Sequence, residues 1–253
     1  MVNKTEQLTL LIDAGNSAIK WALSGLNGLS DTVSQSYPET ITSDFFTKQW
    51  TSLDKPLKVI VSCVASEIVW QGIQNASHEL WNIDVDKVTS LKQGFGLINA
   101  YEKADDLGSD RWCAMIGANQ LAKSAFIVID AGSAVTIDMV NESGKHMGGY
   151  ITPGLNLMRQ SLGLHTAQVN VEAAFNSRSS LALASSTTEC VEAGIHLSVV
   201  KLIEAVYQQE SKQAKKLKCF LTGGSAALIA ESLAFECVIA PDLVLRGLAK
   251  IAA

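Results

Sequence analysis

A chain of 253 residues, 47% apolar and 18% charged, is long enough for one large domain or two modest ones and has the composition of an ordinary globular protein. With 18 Gly and only 4 Pro it is neither collagen-like nor disordered in composition. Lys and Arg number 20 against 25 Asp and Glu, a net charge of −5, which disfavours nucleic-acid binding as the main task but leaves room for a local anion site. The five cysteines (Cys63, Cys113, Cys190, Cys219, Cys237) form no C-x-x-C pair. They read as reduced core thiols of a cytosolic protein rather than a disulfide framework or a structural zinc site. The first apolar run, 10–12, is cut short by Asp13, and no later stretch is long enough to span a bilayer, so the expected address is the cytoplasm with no membrane partner.

In chain order, residues 8–23 (LTLLIDAGNSAIKWAL) read as a buried strand, a tight Gly turn and a returning strand. A strand over 57–64 and a helix over 67–81 follow, the helix carrying apolar residues at Ile68, Val69, Ile73, Ala76 and Leu80. A second helix covers 111–122. Residues 125–140 (AFIVIDAGSAVTIDMV) then repeat the first hairpin nearly half a chain later, which points to a duplicated domain with a ligand between the halves. Residues 191–207 are spaced for one helical face, and the basic stretch after them reads as solvated surface. A strand at 219–221, a Gly223-Gly224 turn, a helix over 225–233 and a strand at 237–239 lead to a last helix capped by Asp242. The domain boundary is set near 109–117, giving domains 1–112 and 113–253.

Five segments are able to carry chemistry. In Asp13-Ala14-Gly15-Asn16-Ser17, with Lys20, a strand-end carboxylate suits a hydrated divalent cation, and the Gly lets backbone N–H groups approach a phosphate. The bland alternative is a hairpin whose Asp braces its own turn. Asp130 with Gly132, Ser133 and Ala134 offers a second such turn; Asp138, on its returning strand, reads equally as structural or functional. Gly108-Ser109-Asp110-Arg111 opens a helix, where an anion is favoured. There Asp110 suits a hydroxyl proton acceptor and Arg111 a carboxylate ligand, although from local sequence alone a helix-capping Asp beside a surface Arg leads. Gly148–Gly154 and Thr222-Gly223-Gly224 are turn-like segments that would bind through backbone. His78, His146, His165 and His196 have no metal spacing and read as surface or core; the five Trp residues read as core.

Taken in register, D13-x-G-N-S-x-x-K20, N99-x-Y101, L107-G-x-D-R-W112, D130-A-G-S-A-x-T-x-D138, G148-G-x-I-x-P-G154 and T222-G-G224 resemble the type III pantothenate kinase family of the actin, hexokinase and Hsp70 ATPase superfamily. The resemblance implies an α/β fold of two duplicated actin-like, ribonuclease H-like lobes with a nucleotide cleft between them. It implies transfer of the ATP γ-phosphoryl group to the primary hydroxyl of pantothenate, giving 4′-phosphopantothenate, the first step towards coenzyme A. Asp110 then looks like the general base and Arg111 the ligand of the substrate carboxylate, with Tyr101, Gly108, Ser109 and Thr188 as further substrate contacts. Asp13 organises Mg²⁺, directly or through water, and Asp130 ligates a monovalent cation, K⁺ or NH₄⁺. The remaining residues of the three glycine turns bind ATP, and the family is homodimeric. Ser133 stands where the family usually has Thr, and Ala104 where it usually has Pro, which would loosen the loop ahead of Gly108. The alternatives are another small-molecule kinase of the superfamily and a non-catalytic regulator of the Bvg accessory factor type.

Overall fold

The computed structural model describes residues 8–42, 44–165 and 181–253. The chain divides into two compact units, Met1–Gln120 with Asp242–Ala253, and Leu121–Pro241.

The first unit begins with β1 (Thr9–Ala14) and β2 (Ala18–Gly25), joined by the Gly15 turn. The short β3 (Gly28–Leu29) and β4 (Val33–Ser36) follow, then α1 (Phe45–Trp50), β5 (Lys58–Cys63), α2 (Glu67–Trp81) and β6 (Val85–Lys87). A two-stranded ribbon, β7 (Gln93–Gly94) with β8 (Leu97–Ile98), precedes α3 (Ser109–Ala122). The sheet runs β3-β2-β1-β5-β6, antiparallel between β1 and β2 and parallel across β1, β5 and β6. Leu10, Ile12, Val59 and Val61, apolar at alternate positions, meet Phe46, Trp50, Val69, Ile73 and Trp81 of α1 and α2 in one core.

The second unit holds β9 (Ala125–Ala131), β10 (Ala134–Val140), β11 (His146–Pro153), α4 (Leu155–His165), α5 (Thr187–Ser211), β12 (Leu217–Thr222), α6 (Ala226–Ala230) and β13 (Val238–Ile239). Its sheet order, β11-β10-β9-β12-β13, repeats the first: an opening hairpin, a third antiparallel strand beyond it, and two parallel strands on the other side. Ile127, Ile129, Val135 and Ile137 pack against Ile195, Val199 and Ile203 of α5. The duplication read from the two I-D-A-G segments is therefore a duplication of topology.

The expected cut at 112 falls inside α3, which runs unbroken through it. The last helix, α7 (Leu243–Ala252), returns to the first unit and packs on β1 and β5. Its contact with α3 depends on two glycines, because a Cβ on Gly247 would collide with the Cys113 carbonyl and one on Gly117 with that of Leu243. Asp242 stands at the start of α7, but its side chain makes no cap hydrogen bond there; it pairs instead with Arg246 at 2.8 Å. Gly148 and Gly149, expected in a turn after a strand, lie within β11. Helix α6 is shorter than the expected 225–233, and α5 begins before 191. Cys63, Cys113 and Cys219 are buried as expected, whereas Cys190 is exposed.

Candidate active site

In the first unit the hairpin register places Asp13 opposite Lys20 of β2 and beside Ser62 of β5. Side chains in register share a face, so Lys20, Asp13 and Ser62 project to the same side of the sheet. The turn between β1 and β2 is closed by the Gly15 N–H donating to the Ala18 carbonyl at 3.0 Å, and the Ser17 carbonyl accepts from Tyr37 at 3.1 Å. Asn16 and Ser17 remain exposed at its tip. A strand-end carboxylate, a nearby ammonium and an exposed turn are what a phosphate with its cation requires.

That same face meets the start of α3. Ser62 Oγ and Ser109 Oγ are hydrogen-bonded at 2.9 Å, both buried. Asp110 follows in the first helical turn, its Oδ1 accepting the Arg111 backbone N–H at 2.8 Å. Asp110 thus does serve its helix end, yet Arg111 is no surface partner: it is 7% exposed, and its Nη1 donates to the Tyr101 hydroxyl at 3.0 Å. Burial of a guanidinium is costly without anionic or polar partners. Tyr101 is itself held by its N–H donating to Asn99 Oδ1 at 2.9 Å and its carbonyl accepting from Lys92 at 2.6 Å. Asn99 Nδ2 also donates to the Ala104 carbonyl at 3.2 Å, so the loop with Ala104 is braced without a proline. Burial above all, then the Asp13 and Asp110 carboxylates, push the Cys113 thiol well above its ordinary pKa. Both acidic groups therefore act on one point of α3.

In the second unit Asp130 lies in register between Thr136 of β10 and Thr222 of β12. The Gly132 N–H donates to the Ala134 carbonyl at 2.9 Å, repeating the closure of the first turn, and Gly132 and Ser133 are exposed. Gly223 passes so close that a Cβ would collide with Ala131 and with Asp130 Oδ1, and its φ of +92° is a conformation suited to glycine. The structure thus brings Asp130, Gly132, Ser133, Ala134, Thr222 and Gly223 together, with Gly224 exposed beside them. Gly154 belongs to the same cluster through its N–H, which donates to the Ser133 carbonyl at 2.9 Å. Asp138 is buried against His146 Nε2 at 2.9 Å, which favours a structural role. His196 is also buried; the side chain of His165 lies outside the described residues. Thr188 is exposed on the first turn of α5, whose cap is Ser186, bonded to the Glu189 N–H and side chain. One turn on, Glu192 pairs with Arg159 of α4 at 3.6 Å, both buried.

Among the described residues no three His, Cys, Asp or Glu side chains gather as a metal site. Single strand-end carboxylates fit cations that complete their shells with phosphate oxygens and water. Of two cavities, one of about 330 Å³ beside Trp112 contains none of the residues expected to bind ATP or substrate. The other, of about 380 Å³ beside Tyr150, is lined by Gly148 and Gly149 but by none of the residues expected to bind ATP or substrate. Ser62 and Ser90 were not singled out in the sequence; a Ser inside the apolar run of β5 was the available signal.

The fold is that of the actin-like ATPases: an archaeal actin homologue superposes with a TM-score of 0.52 at 10% identity, over 97% of this chain and 99% of that one. A Campylobacter jejuni protein assigned to the Baf family of transcriptional activators gives 0.61 at 23% identity, covering 96% of each chain. Identity rises with a type III pantothenate kinase of Nitrosococcus oceani, 34% over 251 residues, covering 97% of this chain and 94% of that protein. Residues 9–209 match the type III pantothenate kinase family as a whole, and the chain belongs to that family.

Proposed function

We infer that this chain transfers the γ-phosphoryl group of ATP to the primary hydroxyl of pantothenate, with Asp110 as the proton acceptor. The observation that carries the assignment is the grouping of Asp110, buried Arg111 and Tyr101 at one helix start, beside the strand that follows Asp13 in register. Arg111 holds the substrate carboxylate through its guanidinium N–H groups, and the Tyr101 hydroxyl keeps that guanidinium in place. The Gly108 and Ser109 backbone and Thr188 complete the substrate contacts. As the hydroxyl oxygen attacks the γ-phosphorus, its proton passes to the Asp110 carboxylate and ADP leaves. Little else is asked of the protein than position and charge.

Ala14, Gly15, Asn16, Ser17 and Lys20 in the first unit bind ATP phosphates, as do Gly132, Ser133 and Ala134 in the second, where Thr222, Gly223 and Gly224 lie against the nucleoside. Asp13 would hold Mg²⁺ and Asp130 K⁺ or NH₄⁺; bound there, each cation neutralises phosphate charge. The chain works in the cytoplasm, a reading supported by five free thiols and by the lack, among the described residues, of a helix long and apolar enough to cross a membrane. It works as a homodimer: β11 is a sheet edge, and exposed Tyr150 and Ile151 on it neighbour exposed Leu157 and Leu164 of α4 in sequence.

Asp110→Asn tests the assignment. Turnover should fall about 10²-fold or more, while calorimetry still detects pantothenate binding through Arg111. Near-normal turnover in that variant removes Asp110 from the role.

A further inference from the structure

We infer that Ser62 is a positioning residue for Asp110, acting through Ser109; this rests on Asp110 being the proton acceptor. Ser62 is fully buried on β5 between Val61 and Cys63, in register with Asp13. A hydroxyl in such a place costs free energy unless it is hydrogen-bonded, and its bond is the 2.9 Å contact with Ser109 Oγ. Ser109 is the first residue of α3 and Asp110 the second. Fixing the Ser109 side chain therefore sets the rotation of the turn from which the Asp110 carboxylate projects. The strand holding Ser62 is also the one paired beside Asp13, so one buried hydroxyl pair relates the helix carrying the base to the strands carrying the cation-organising carboxylate.

The fold does not need this bond to seat α3. Ser90 Oγ donates to the Leu107 carbonyl at 2.8 Å and holds the entry to the helix, and the Gly117 and Gly247 backbones settle its contact with α7. Two small apolar side chains would fill the space of the serines at comparable stability. What they would lose is direction, and misplacing a reacting group by an ångström is enough to cost a large factor in rate.

Ser62→Ala is expected to fold and to lower kcat by roughly 10-fold, with KM for ATP and for pantothenate within about 2-fold of the parent. Combined with Asp110→Asn it should add nothing, because the group it positions is gone. A merely structural role would leave kcat per folded molecule unchanged or multiply with Asp110→Asn; either result overturns the inference. Failure of the Asp110 assignment would show separately, as undiminished turnover in Asp110→Asn alone. Should Ser62→Ala not fold, Ser62→Cys, which keeps the volume and gives up most of the hydrogen bond, carries the same expectations.

Discussion

Asp13 and Asp110 both bear on Cys113, a buried thiol one helical turn beyond Asp110. Burial also raises the Cys63 and Cys219 thiols. For an acid whose folded pKa lies above its unfolded value, the folded protein binds more protons, so the stability it contributes is complete below the unfolded pKa and is lost as pH rises through the folded one. The ordinary thiol value is 9.0, so the melting temperature should hold level through neutral pH and decline above about pH 9. Cys113→Ala should shallow that decline; an unchanged slope would show that proton binding at Cys113 does not differ between the folded and unfolded states. Cys190, exposed, should be the thiol that alkylates first at neutral pH.

At the scale of elements, the same hairpin is built twice, and its glycine turns were plain in the sequence because Asp-Ala-Gly flanked by apolar runs has few other uses. Helix α2 was also legible, at its observed bounds of Glu67–Trp81, from spacing alone. The start of α5 was not read, although Ser186-x-x-Glu189 is a capping pattern that would have revealed it. Strand β11 was hidden because Gly148 and Gly149 imitate turn chemistry, and the burial of Arg111 is set by long-range packing that no local pattern reports. The α3–α7 contact is of that kind too: Gly117 and Gly247 stand far apart in sequence, and only the fold gives their small size a purpose. Gly247→Ala should destabilise by about 1–3 kcal/mol, the usual cost of overpacking, read as a lower midpoint in urea with an unchanged slope. A midpoint equal to the parent would mean that α7 does not rest on α3 as described.

For the whole molecule, an acidic chain acting on two anions has to gather its positive charge locally, and on the proposed reading it does so in Lys20, Arg111, turn N–H groups and bound cations. If Asp130 ligates a monovalent cation, replacing K⁺ by Na⁺ at constant ionic strength should depress the rate, and Asp130→Asn should abolish the difference between the salts; equal rates in both salts for the parent would remove that ligand role. The central claim is the identity of the acceptor, and phosphorus-31 NMR of the purified protein with ATP, Mg²⁺ and K⁺ reads it directly. With pantothenate present, a phosphomonoester on the primary hydroxyl should grow in step with ADP, while a panel of sugars yields none. Sugar phosphates forming while pantothenate stays unmodified would contradict the account, as would pantothenate bound without any loss of ATP.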